Sequence, residues 1–310
     1  MTAPPATRLA APLAGSEPLI DAHAHFYHAH AGRDDWADLN AARLRAGDRI
    51  GVTWHVASAL GSYGFTSPTY FPSPEDVTRG NDEMLAIARA ESHRVRMLVT
   101  VNPNYTDHAL AEIERRVGQG AVGVKLLASR RADDPLLDPI AELAGERGLP
   151  ILHHIWQHRR REWPSQEISD GADLARLAAR HPRTNFILAH LGGGGDWAHT
   201  YPAIADHPNV LPDVSGSGVD RGMLDAALDA LGPRRLLWGC DLTMCTGLAK
   251  LRALEVIGLE EEGLRAIRWG NAVRIFPPGT FPGLRAAHDE LRGAPLSQLA
   301  GRSADAESPT

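Results

Sequence analysis

Pro18-Leu19-Ile20-Asp21-Ala22-His23-Ala24-His25 decides how the rest of the chain is read. Its apolar opening reads as the buried start of a strand, and in extended backbone successive side chains point to opposite faces. His23 and His25 therefore share a face, with Asp21 one step behind them on the same side. Neutral imidazole is the commonest protein ligand for zinc and similar metals, so two on one rigid strand make half a metal site. A lone His-x-His is more often a pair of ordinary core or surface histidines. The rest of the chain has to supply the other ligands.

Outward from this strand, short apolar runs alternate with longer segments of helical periodicity. Strands are expected at 19–24, 53–60, 96–101, 121–127, 150–154, 185–190, 210–214 and 235–240, and helices at 81–92, 106–117, 139–147, 171–180, 221–231 and 250–257. Ser73-Pro74-Glu75-Asp76 has the make-up of a helix start, with a capping serine, a first-turn proline and acids at the positive end. Such alternation argues for a parallel sheet with helical crossovers. Eight units close most naturally into an α/β fold of the (β/α)8 TIM-barrel type, expected as one domain over residues 17–294 between flexible termini at 1–16 and 295–310. An open doubly wound sheet is the alternative, but no glycine-rich dinucleotide loop follows the first strand. Two long connections, 26–50 and 61–75, would lie at the C-terminal rim of a barrel, where active sites are built. The second carries Tyr63, Phe65, Tyr70 and Phe71, as a substrate cover or as surface padding.

Bulk properties exclude several function classes. The 310 residues are 43% hydrophobic, enough for a sizeable core, and carry a formal charge of -6, which leaves no basic footprint for nucleic acid. No apolar run approaches a membrane span, and the Ala- and Pro-rich residues 1–16 lack the pattern of a secretion signal. Two cysteines, Cys240 and Cys245, are too few for a disulfide scaffold. A cytoplasmic protein with a small-molecule substrate is expected; homo-oligomerisation is left open.

The expected strands finish in polar groups to an unusual degree. Lys125 lies inside an apolar run, strand five ends in His153-His154, strand six in His190 before Gly192–Gly195, and strand eight in Cys240-Asp241. Buried histidines and carboxylates need partners, because burying one unpaired costs several kcal/mol. A shared metal would satisfy them together.

These pieces, with the closing Gly270-Asn271-Ala272-Val273-Arg274-Ile275-Phe276, stand in the order found in the amidohydrolase superfamily. The chain resembles the amidohydrolase-related branch of that superfamily, which holds metal-dependent hydrolases and several decarboxylases. The resemblance implies that His23, His25 and Asp241 bind a divalent metal, usually zinc, and that the strand-five ligand is His154, with His153 turned to the helical layer. It makes His190 either a second-metal ligand or the group that holds the metal-bound water. Lys125 is either a carboxylated bridge between two metals or a lysine that reaches the rim to form an ion pair, so one ion or two remain open. Asp241 would be the proton acceptor, with His190 assisting. The implied reaction is hydrolysis of an amide, lactone or ester in a small carboxylated molecule; non-oxidative decarboxylation of an aromatic or unsaturated acid is the alternative, and a barrel that only binds is the third.

Other residues read more plainly. Arg159-Arg160-Arg161, Arg130 and Arg131 could grip a substrate carboxylate but suit solvated positions better, and Trp156 could line a pocket or pack under a loop. Cys240 suits packing. Most of the remaining histidines, a group that includes His55, are expected to face solvent, while His28 and His30 extend the early cluster.

Overall fold

The computed structural model describes residues 17–60, 66–156, 165–191, 196–216, 218, 220, 222–242 and 244–284. The expected termini, Tyr63, Phe65, Arg159-Arg160-Arg161 and Gly192–Gly195 lie outside them. Seven parallel strands pair in chain order into one curled sheet: β1 (Ile20–Phe26), β2 (Trp54–Ala59), β3 (Val95–Val101), β4 (Gly123–Leu126), β5 (Ile151–His154), β6 (Phe186–Ala189) and β7 (Val210–Pro212). Parallel neighbours require a crossover. The crossovers are α1 (Trp36–Ile50), α2 (Pro74–Ala90), α3 (Thr106–Val117), α4 (Asp138–Arg147), α5 (Gly171–Arg180) and α6 (Trp197–Ile204). After β7 come α7 (Met223–Leu231), α8 (Met244–Val256), α9 (Glu261–Arg265), a π-helical turn at Ala266–Gly270 and α10 (Asn271–Ile275).

Alternate strand positions feed two cores. Met97, Val99, Val124, Leu126, Ile151, Phe186 and Leu188 pack with Met84, Ile113, Ile140 and Leu174 of the helices. Ile20, Val56, Leu98, Leu152, Ile187 and Leu211 gather on the other face, where Val273, Phe276 and Phe281 join them. Burying apolar surface on both faces is what makes these strands near-continuous hydrophobic runs.

No eighth strand forms among the described residues, although the sequence suggests one at 235–240. That stretch instead bridges the two ends of the sheet. Leu237 donates its N–H to Pro212 (3.0 Å), Ala22 donates to the Trp238 carbonyl (3.0 Å) and Asp241 donates to the His23 carbonyl (2.7 Å). The contact stays at isolated bridges, Asp213 with Leu237 and Ala24 with Asp241. Two donors that a ladder would use go elsewhere: Trp238 N–H to Ile267 (3.1 Å) and Cys240 N–H to the Asp21 carboxylate (3.0 Å).

Three further expectations are corrected. The long connection at 26–50 contains α1, whose buried residues are only Arg43, Leu44, Gly47 and Ile50, too sparse to print a helical period; Gly51 ends it at φ 88°. Helix α2 begins at Pro74 rather than 81, and Ser73 Oγ accepts from the Asp76 N–H (3.2 Å), as the capping signature requires. The Asp21 side chain does not lie on the same face as the His23 side chain, because the register of β1 on β2 shifts between Asp21 and Ala24. The bulge leaves the Asp21 carboxylate accepting from Arg43 of α1 (2.7 Å) and lying 3.3 Å from His55 Nδ1. His55 is accordingly buried rather than solvent-facing.

Candidate metal centre

The bulge that displaces Asp21 keeps His23 and His25 together. Their Nε2 atoms lie 3.0 Å apart, and Asp241 Oδ1 lies 3.7 Å from the first and 3.1 Å from the second. Both histidines are almost fully buried, while the Asp241 side chain is 26% exposed, so the cluster opens toward solvent on the Asp241 side. The far nitrogens fix the orientation. His23 Nδ1 sits 2.9 Å from Asp213 Oδ2, and His25 Nδ1 sits 3.0 Å from Ser58 Oγ. A proton on each Nδ1, donated outward, leaves both Nε2 lone pairs facing inward, the tautomer a metal ligand needs.

The second side is built from β5 and β6. His190 Nε2 approaches His154 Nδ1 at 3.2 Å, and His190 Nδ1 lies 3.1 Å from Ser215 Oγ and 3.5 Å from Asp241 Oδ2. Ser215 Oγ is also 3.1 Å from His23 Nδ1, so one hydroxyl stands between two imidazoles. His153 follows strand alternation away from this site: it lies between Ile151 and Ile155 of the helix-facing core, while His154 follows Leu152 of the inner one. Lys125 is buried with Nζ 3.3 Å from His23 Nε2. Tyr70 and Trp156 flank His154, with ring centroids 5.6 and 5.7 Å away.

Burial is the main force on these groups. It lowers His190 to about 4, drives His23 and His154 well below the usual imidazole range with help from neighbouring charge, and lowers Lys125 to about 8. Burial would raise the Asp241 carboxyl, but His190, His25 and His23 outweigh it and hold the group well below the ordinary carboxylate range. Asp213 is raised by burial. The site at neutral pH is therefore neutral imidazoles around an ionised Asp241.

This donor set fits a divalent cation. His23, His25 and Asp241 present three ligand atoms within 4.8 Å of one another, as do His23, His190 and Asp213. His154 Nε2 is buried with no hydrogen-bond partner among the described residues. The sequence reading missed Asp213, Ser215 and Ser58. Asp213 carried a usable signal, a carboxylate at the end of the seventh apolar run; Ser215 and Ser58 carried none, because hydroxyls are common in loops and strands alike.

The remaining singled-out residues fall outside the cluster. Arg130 donates to Asn104 Oδ1 (2.6 Å), and Arg131 donates to Asp173 of α5 (3.0 Å). Cys240 is buried in an apolar cluster with Leu19, Val214, Trp238 and Leu251. His30 lies 4.0 Å from Glu83, and His28 is buried.

No helix among the described residues is long and apolar enough to cross a membrane. Comparison with curated protein sequences finds no match. Among solved structures, the chain is similar to the 2,6-dihydroxybenzoate decarboxylase from Rhizobium, at 18% identity and a TM-score of 0.64 over 84% of this chain and 98% of that one. It is similar to a dihydroxybenzoic acid decarboxylase from Polaromonas sp. JS666 with bound manganese and the inhibitor 2-nitroresorcinol, at 18% identity and a TM-score of 0.63 over 84% and 96%. It also resembles an amidohydrolase II, at 15% identity and a TM-score of 0.62 over 83% and 99%. At these identities the likeness establishes the fold alone. The amidohydrolase family model matches residues 20–277. With the match running from β1 through α10, the chain belongs to the amidohydrolase family.

Proposed function

We propose that this chain is a metal-dependent hydrolase that cleaves an amide, lactone or ester bond in a small carboxylated molecule. The observation that carries the reading is the division of Asp241 between two sides of the site: Oδ1 faces the His23–His25 pair and Oδ2 faces His190. The reading takes the fold as a closed (β/α)8 barrel, with the bridges from 237–241 to both sheet ends as its eighth stave, in one domain over 17–294 of a cytoplasmic protein. His23, His25, His154 and Asp241 would hold the cation, zinc or the manganese seen in a similar structure, with Lys125 and His190 joining if there are two. A divalent cation there supplies Lewis acidity and lowers the pKa of water.

The protein's own groups handle the protons. Asp241, ionised and open to solvent on one side, accepts the proton of the attacking water. Its Oδ2 is within reach of His190 Nδ1, which relays that proton toward the leaving group. The buried Lys125 beside His23 places positive charge where a substrate carboxylate or a developing oxyanion would sit.

A second reading, non-oxidative decarboxylation of an aromatic acid, is favoured by the rings of Tyr70 and Trp156 beside His154, which suit a flat substrate, and by the decarboxylases among the similar structures. One experiment separates them. Metal-loaded protein is incubated in oxygen-18 water with a panel of carboxylated lactones, amides, esters and dihydroxybenzoates. Label in the product supports hydrolysis; carbon dioxide release from the aromatic acids without label replaces it with decarboxylation.

A further inference from the structure

We propose that Arg43 and Asp21 form a positioning clamp that holds Asp241 in its ligating geometry, an inference that rests on the metal centre of the proposed function. Neither residue touches the cation; both act on the backbone that presents the ligands.

Arg43 projects from α1 and is 8% exposed. One Nη donates to the Asp241 carbonyl (2.7 Å) and more weakly to the Leu242 carbonyl (3.4 Å), while the other donates to Asp21 Oδ2 (2.7 Å). Asp21 in turn accepts from two backbone N–H groups, Cys240 (3.0 Å) and His23 (3.3 Å). One buried ion pair thus grips the chain on both sides of Asp241 and at the first ligand of β1. The planar guanidinium fork is what lets a single side chain serve a carboxylate and a carbonyl at once.

The grip has a reason in the backbone. Asp241 adopts φ 56° and is the one described non-glycine residue with positive φ. That left-handed conformation is disfavoured for a residue with a Cβ and persists where the surroundings over-determine it. The N–H of Asp241 is fixed by His23 and its carbonyl by Arg43, so both peptide groups flanking its Cα are held. Relaxation to ordinary φ would swing the carboxylate away from His23 and His25. Leu242, the next residue, is 41% exposed and offers no packing to prevent it.

The test measures metal rather than turnover. Arg43→Met, Arg43→Lys, Asp21→Asn and a control, Arg116→Met, are loaded with Co(II). Arg116 is a fully buried arginine paired with Glu112 on α3, outside the candidate site. Affinity is read by competition with a chromophoric chelator, the ligand field by the cobalt d–d spectrum, and folding by thermal denaturation. The expected result is a 10- to 100-fold loss of affinity, roughly the effect of removing an outer-shell partner, with an altered spectrum in Arg43→Met and Asp21→Asn. Arg43→Lys, which keeps the charge without the fork, should lose about tenfold and remain folded if the methionine variant does not. Wild-type affinity and spectrum in the folded Arg43 and Asp21 variants would overturn the clamp. An equal loss in Arg116→Met would also overturn it, by showing general loosening. Wild-type protein that binds no Co(II) fails the metal centre instead.

Discussion

One oxygen of Asp241 lies 3.1 Å from His25 and the other 3.5 Å from His190, a geometry that suits the proposed double role of this carboxylate as ligand and proton acceptor. Replacing it with asparagine keeps the shape and removes the base. Turnover of Asp241→Asn should fall by about 10²–10⁴-fold, the usual worth of general base catalysis, while circular dichroism stays that of the wild type. Near-wild-type turnover would place the base elsewhere. Lys125 poses a separate question, because an ammonium beside a cation is unfavourable unless something negative intervenes. Either carboxylation or a substrate carboxylate supplies the charge. Metal analysis paired with native mass spectrometry distinguishes them. One ion per chain with an unmodified lysine is the expected outcome, since Lys125 Nζ lies 3.3 Å from His23 Nε2, a direct contact with no space between them for an added carboxyl group. Two ions with the added mass of carbon dioxide would instead identify a bridge.

Between elements, α1 packs tightly against β2 near the site. A Cβ built on Gly47 would stand 2.8 Å from His55 Nε2, and His55 is 1% exposed, so its ring has nowhere to go. Alanine in a helix interior gains up to about 1 kcal/mol over glycine, but overpacking a tight contact costs about 1–3 kcal/mol. The clash should win: Gly47→Ala should lower the denaturation midpoint in urea, and because His55 contacts Asp21 it should also weaken metal retention. An unchanged midpoint would mean that α1 can shift outward freely. This contact also marks the limit of what the sequence discloses. Strands β1 to β7 were legible because each buries both faces and prints as an apolar run, and α3 and α5 because their apolar stripes are dense. Helix α1 was not, since it buries mainly a guanidinium, a glycine and two aliphatics. Likewise the strand ends point to His23, His25, the His153–His154 pair, His190 and Asp241, with the family resemblance choosing His154 within the pair, whereas the bulge that turns Asp21 toward α1 depends on pairing register, which no local pattern encodes.

Across the whole molecule, the sheet carries an unusual load of neutral buried imidazole, and this sets how stability responds to acid. His153 shows the sign. Burial lowers it to about 4, against an ordinary value of 6.5. Between those values the unfolded chain takes up a proton that the folded chain refuses, so stability is full above about pH 6.5 and falls as pH drops toward 4. A shift of this size corresponds to about 3 kcal/mol for one group. His55, lowered by burial, adds in the same direction. Asp21 and Asp241, held below the ordinary carboxylate range by their partners, lose their contribution only at lower pH, and Asp213, raised by burial, opposes the trend. Urea unfolding at pH 7.5 and 4.5 should show a steep fall for the wild type. His153→Gln, whose amide can still donate to the His154 carbonyl that His153 Nδ1 meets at 2.9 Å, should recover most of the share that His153 contributes. A fall of equal depth in the variant would show that His153 takes up its proton in the folded state, so that its imidazole is not held neutral by the sheet around it.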